Sequence, residues 1–246
     1  MDRETLRADM VEGLEYSLDQ PLGASIVDAL QTVPHHEFTD PTAAETAGDG
    51  GTRTLQPSLV ARLLLALDAE AGDETLIVGS GVGYTAATVA EIVGGRHVHA
   101  IDIDRQLVGV ARQNLRSTGY DEVLVDRRDG ARGYPEYAPF DRILVESAVV
   151  EPPRALLDQL APGGRLVVPR GTRTQTLVAY EKDTNGTVEQ AGEFGAVRFR
   201  PMLVDGEQAS SPTRNRTERE DSEFSKQGYF APSGWEYEWL DWDERL

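Results

Sequence analysis

Apolar positions recur along the chain with two alternating periods, and together they lay out strands separated by helices. Over residues 3–32 the spacing predicts two helices. Ile26, Val27, Leu30 and Val33 share a helical face in the second, and Pro34 closes it. Residues 39–51 are small, polar and acidic and read as a loop. Pro57 suits a first helical turn, and Leu59, Val60, Leu63, Leu64 and Leu67 then form an apolar stripe over 58–69. From residue 75 the pattern alternates. Strands are predicted at 75–79, 97–102, 122–126 and 140–147, with helices at 84–93 and 104–117 between them and another near 154–160. Pro162-Gly163-Gly164 predicts a turn into a strand at 165–169, with closing strands at 176–182 and 196–199. Repeated strand–helix units of this length imply an α/β fold, a mostly parallel sheet with helices on both faces.

Four regions follow from this pattern. Residues 1–56 form an N-terminal helical and loop region, and 57–205 the α/β domain. Residues 206–228 are poor in apolar side chains and read as a flexible linker. Residues 229–246 form an acidic, aromatic tail that holds all three tryptophans. Trp235, Trp239 and Trp242 sit at i, i+4, i+7, a helical stripe suited to docking on the domain or on a partner.

Composition narrows the setting. With no apolar run near the roughly 20 residues a bilayer requires, and a charged start, MDRETLRADM, without a signal-peptide core, the chain reads as cytoplasmic, with no membrane partner. It has no cysteine, which excludes disulfides and thiolate metal sites, and no metal site is expected. Asp and Glu number 42 against 24 Lys and Arg, for a net charge of −18, and only Lys182 and Lys226 are lysines. Such a surface fits a salt-loaded, halophilic cytoplasm, where ions screen its self-repulsion. The same field repels phosphate backbones, so no nucleic-acid partner is expected.

The candidate chemistry lies in ETLIVGSGVGYTAATVAEIVGGRHVHAIDID. Gly79, Gly81 and Gly83 leave the backbone open to a ligand at the end of the first strand. Asp102 ends the next strand, where a carboxylate suits the two hydroxyls of a ribose. Position 84 is Tyr84 rather than the glycine of a G-x-G-x-x-G dinucleotide turn. The turn therefore suits S-adenosylmethionine, a nucleoside with an amino-acid tail and no phosphate. Ser80 and Tyr84 belong to the turn, and Ile103 follows the acid. Asp129-Gly130 after the third strand offers an acceptor for an adenine amino group. His35, His36, His97 and His99 read as structural or surface residues.

These segments, with NLRSTGY, RDGARGYPEYAPFDRILV, LLDQLAPGGRLVVP and VRFRPMLV, resemble the protein-L-isoaspartate O-methyltransferase family from about residue 25 to 205. The resemblance implies a Rossmann-like class I methyltransferase fold with an N-terminal helical extension, S-adenosylmethionine as donor, and isoaspartyl residues of damaged proteins or peptides as substrate. Alignment of oxygen, methyl and sulfur is then the main demand on the enzyme, because a carboxylate is already a nucleophile. The catalytic segment maps to GTRTLQP, giving Thr54, Leu55 (at the family's serine position) and Gln56 as candidates. Three departures stand out: Leu55 itself, together with a shorter preceding loop; Ile77 where the family carries an acid; and Glu146 at the end of the fourth strand. An ionised Glu146 would repel a carboxylate acceptor by a few kcal/mol. It would equally attract an amine, or replace the acid absent at 77 as a cofactor ligand, or simply face solvent. A same-fold methyltransferase with another acceptor, and a non-catalytic cofactor-binding scaffold, remain as alternatives.

Overall fold

A computed structural model describes residue 13 and residues 21–38 and 54–204. The first of the two expected N-terminal helices, the loop at 39–51, the linker at 206–228 and the tail at 229–246 lie outside the described residues, residue 13 apart.

Seven strands form one sheet: β1 (Thr75–Val78), β2 (Val98–Asp102), β3 (Leu124–Arg127), β4 (Phe140–Val145), β5 (Leu160–Gly171), β6 (Gln175–Lys182) and β7 (Val188–Val197). Their order is β3-β2-β1-β4-β5-β6-β7. The first five are parallel, and β6 and β7 complete the sheet antiparallel. Strand order reverses at β1, between β2 and β4, so the crevice beyond its carboxyl end is where such a sheet takes a ligand.

Five α-helices are described: α1 (Ala24–Thr32), α2 (Pro57–Leu67), α3 (Tyr84–Val93), α4 (Arg105–Ser117) and α5 (Arg154–Asp158). β1 and β2 are buried at every residue, as strands covered by helices on both faces must be. One apolar cluster packs α1–α4 on one face of the sheet, and a second holds α5 and the segment ending at Val204 on the other.

α2 shows how sequence sets a helix here. Pro57 occupies its first turn, and Asp68, at φ 52°, ends it in the left-handed region. Leu63, Leu64 and Leu67 are buried, whereas Leu65 is only partly so. Leu67→Ala is expected to lower unfolding free energy by about 2–5 kcal/mol, and Leu65→Ala by less; urea denaturation of the two variants checks the difference.

Several expected boundaries shift. The third strand covers Leu124–Arg127 rather than 122–126. His97 leaves the second strand for a 3-10 turn, Gly95–His97. The helix near 154–160 stops at Asp158, and Leu160 already pairs with Phe140. Pro162-Gly163-Gly164, expected as a turn into a strand at 165–169, instead falls inside β5 as a bulge, with Gly163 at φ 81°, and the β4–β5 ladder resumes at Arg142 opposite Arg165. The largest correction concerns β7. It runs Val188–Val197 rather than 196–199, because VEQAGEFG pairs with β6 through its backbone while its side chains stay mostly in solvent. Arg198 and Phe199 leave the ladder and reach the ligand crevice.

Candidate active site

The glycine turn is stitched to the end of β2. Gly79 and Ser80 donate their N–H groups to the Ile101 carbonyl at 2.8 and 3.1 Å. Gly81 donates to Asp102 Oδ2 at 2.9 Å. Gly79 and Gly81 have φ of 84° and 53°, values that disfavour a side chain. Asn114 on α4 donates to the Val82 carbonyl at 3.1 Å and fixes the far side of the turn.

Asp102 is 8% exposed. Its second oxygen accepts the Asp104 N–H at 2.9 Å, so both oxygens are oriented by backbone donors. Burial raises the carboxyl above its ordinary range, and the N–H groups of Asp104 and Gly81 pull it back.

The turn divides two neighbouring cavities. One, of about 170 Å³, is lined by Gly79, Gly81, Asp102, Ile103, Gly130 and Glu146. The other, of about 280 Å³, brings Ser80 and Tyr84 of the turn together with Thr54, Leu55, Glu146 and Arg200. Glu146 belongs to both. Its backbone N–H bonds the Val78 carbonyl at 2.8 Å, which sets the end of β4 beside the end of β1. The solvent-facing alternative for this side chain is overturned, because Oε1 is enclosed and meets no hydrogen-bond partner. Burial pushes the carboxyl up to about 8, the Thr85 hydroxyl opposes the rise, and the charge of Asp102 adds to it.

The remaining sequence candidates distribute unevenly. The Thr54 hydroxyl donates to the Phe38 carbonyl, and the Leu55 carbonyl lies 3.0 Å from His35 Nε2. His35 also packs edge-on against Tyr84, at 4.7 Å between ring centroids. This small histidine–tyrosine contact ties the segment before α2 to the glycine turn. Gln56 is exposed as the residue capping α2 and lines neither cavity. Gly83 also lines neither. It sits at φ 92°, and a Cβ there would press on Leu115 Cγ at 3.3 Å, so its missing side chain serves the contact between α3 and α4. Asp129 accepts the Ala131 N–H at 2.9 Å and faces a separate groove, whereas its neighbour Gly130 lines the cofactor-side cavity. His97 and His99 share Glu74, at 2.7 and 3.4 Å, in a structural cluster. Sequence reasoning missed Arg198, Arg200 and Thr85 as cavity residues. VRFRPMLV was noticed only as part of a resemblance, and no spacing rule points from it to the turn.

A buried acid with one oxygen unpartnered, a carboxylate at the end of β2 and a turn open to the backbone suit a cationic nucleoside. This sheet order with this turn defines a class I S-adenosylmethionine-dependent methyltransferase fold. Residues 21–208 match the family model of protein-L-isoaspartate(D-aspartate) O-methyltransferase. The chain belongs to that family. It is 36% identical over 210 residues to the protein-L-isoaspartate O-methyltransferase of Methanosarcina mazei, covering 81% of this chain and 84% of the relative. It is 37% identical to protein-L-isoaspartate O-methyltransferase 2 of Archaeoglobus fulgidus, covering 82% and 94%. A solved protein-L-isoaspartate O-methyltransferase superposes with a TM-score of 0.64 at 26% identity, over 76% of this chain and 64% of that one. A beta-aspartate methyltransferase structure from Plasmodium falciparum, in complex with S-adenosyl-L-homocysteine, superposes at 0.66 over 82% and 99%; at 18% identity it bears on the fold alone.

Proposed function

We propose that the protein methylates the side-chain carboxylate of isoaspartyl residues in damaged proteins and peptides, in the cytoplasm of a salt-adapted cell. S-adenosylmethionine supplies an electrophilic methyl group and a neutral thioether leaving group. The acceptor oxygen forms its bond to the methyl carbon as the carbon–sulfur bond breaks; the products are a methyl ester and S-adenosylhomocysteine, and no proton moves. The chain's own task is alignment and charge placement.

One observation carries this reading: Glu146 and Arg200 line both cavities beside the glycine turn, and Thr54, Leu55 and Arg198 line the larger one with them. Asp102 receives the ribose hydroxyls, and Gly79, Ser80, Gly81, Ile103 and Gly130 wall the nucleoside. Glu146 takes the cofactor's cationic part, standing in for the acid absent at Ile77. Arg198 and Arg200 draw the acceptor carboxylate and offset the negative charge Glu146 then carries. Leu55 contributes only an apolar wall at the family's serine position, with Thr54 as the neighbouring hydroxyl.

Leu55 and Glu146 also favour a second reading, an acceptor of different chemistry such as an amine. Labelled methyl transfer in concentrated salt separates the two. An isoaspartyl peptide is expected to exceed its aspartyl counterpart at least about tenfold in kcat/KM, a difference of roughly 1.4 kcal/mol in transition-state binding. The product should be a base-labile ester. Equal rates on both peptides, or a base-stable product, would move the assignment to the second reading.

A further inference from the structure

Outside the cofactor site a groove of about 800 Å³ lies between α4 and the loop after β3. Arg105, Arg112, Arg127, Arg128 and Arg132 line it, with Asp126 and Asp129 as its only acids. Five positive charges against two negative ones make it basic, in a chain whose net charge is −18.

The arginines are set in place. Arg112 donates to the Val125 carbonyl at 2.8 and 2.6 Å and to Asp126 at 2.8 Å. Arg127 donates to the Ile103 carbonyl at 3.1 Å. Arg128 pairs with Glu136 at 2.9 Å, and its guanidinium lies 4.3 Å from the centre of the Tyr134 ring. Arg105 and Arg132 are exposed at the rim. Such a surface takes a ligand with both carboxylates and aromatic faces, because guanidinium planes bind the first in a bidentate fashion and stack on the second.

The chain carries a segment of that chemistry. Residues 229–246 hold Glu236, Glu238, Asp241, Asp243 and Glu244 against Arg245 alone, and interleave them with Trp235, Tyr237, Trp239 and Trp242. The described chain also ends near the groove. Val204 belongs to the same apolar cluster as Ala131 and Tyr134, and Tyr134 is the ring beneath Arg128. Met202 would touch a side chain placed at Gly130, next to Asp129 on the groove wall.

We propose that the arginine groove is the docking site of the acidic aromatic segment 229–246 of the same chain. Residues 205–228 connect the two, and a tether of that length gives an effective concentration in the millimolar range, so a weak contact suffices to fill the groove. Neither Arg105 nor Arg132 lines the cofactor cavities, so the docking contact can be changed while the methyl-transfer site is left intact.

The test is direct because all three tryptophans of the chain lie in this segment. Tryptophan emission and acrylamide quenching of the full chain are compared with those of a synthetic 229–246 peptide in the same salt. The full chain is expected to emit at shorter wavelength and to be quenched less than the peptide, independently of protein concentration. The double variant Arg105→Glu/Arg132→Glu is expected to return both signals to the peptide's values, with S-adenosylhomocysteine binding unchanged as the check on folding. The pair Arg105→Lys/Arg132→Lys should fall between the two. In trans, the peptide should bind a chain truncated at 228, and at least about tenfold more weakly when that chain carries the two glutamates. Peptide-like signals in the unmodified chain would overturn the proposal. So would signals that the charge reversals do not move, and signals that depend on protein concentration would assign the segment to a second copy of the chain.

Discussion

Asp102→Ala is expected to reduce affinity for S-adenosylhomocysteine by at least about 100-fold, the loss of two charge-assisted hydrogen bonds at roughly 1.5–3 kcal/mol each. The size of the effect comes from a double duty. The carboxylate faces the cavity, where ribose hydroxyls would meet it, and it also holds the Gly81 and Asp104 N–H groups at 2.9 Å. Alanine removes both functions and leaves two inward N–H groups without acceptors. Asp102→Asn should fall between alanine and the parent, because its amide oxygen can serve one of these N–H groups while its NH2 opposes the other. Calorimetric titration of the three proteins checks the order. Alanine binding within a few-fold of the parent would remove Asp102 from the cofactor site.

Glu146→Gln is expected to abolish a pH dependence of stability. Unfolded, this carboxyl loses its proton near 4.5; folded, it keeps it to about 8. Between those values the folded chain binds the additional proton, so stability falls as pH rises through the window. Above it the deficit is constant, at up to about 5 kcal/mol from 1.36 kcal/mol per pH unit. Glutamine has no such slope, so its advantage over the parent should be negligible near pH 5 and largest above pH 8, as read by urea unfolding in constant salt. Equal pH slopes in the two proteins would place Glu146 outside the enclosed position.

Cofactor binding gives an independent readout of the same residue. A cation beside Glu146 favours its ionised form. Titrations at pH 7 in buffers of different ionisation enthalpy should show close to one proton released with S-adenosylmethionine. Fewer are expected with S-adenosylhomocysteine, which lacks the sulfonium charge, and none in Glu146→Gln. No release in the parent would mean that Glu146 stays neutral and acts as a hydrogen-bond donor instead.

What the sequence makes legible follows from what its residues must bury. TLIV and VHAID are buried on both faces, so they read as apolar runs whatever surrounds them, and the glycines and Asp102 between them mark the crevice by position alone. VEQAGEFG gives no such signal, because an edge strand held by backbone pairing needs no apolar side chains. Glu146 could be located but not oriented: whether a strand-end acid is enclosed depends on the segment 198–204, which arrives from far along the chain. Arg198 and Arg200 escaped notice for the same reason. Gly83 and Gln56 stand at motif positions that line neither cavity. A Cβ at Gly83 would press on Leu115 across the contact of two helices, and Gln56 occupies the N-cap position of α2, so local packing accounts for the first residue type without a ligand.

The stitching of the glycine turn to Ile101 and Asp102 has a consequence for turnover. Every bond that shapes the turn is made within the protein, so its form does not depend on what occupies it. Exchange of spent for fresh methyl donor then needs no refolding of the seat. Amide hydrogens at Gly79 and Gly81 should stay protected through the whole cycle, and adjustment is left to the acceptor side, where Thr54 is held by the Phe38 carbonyl and Leu55 by His35.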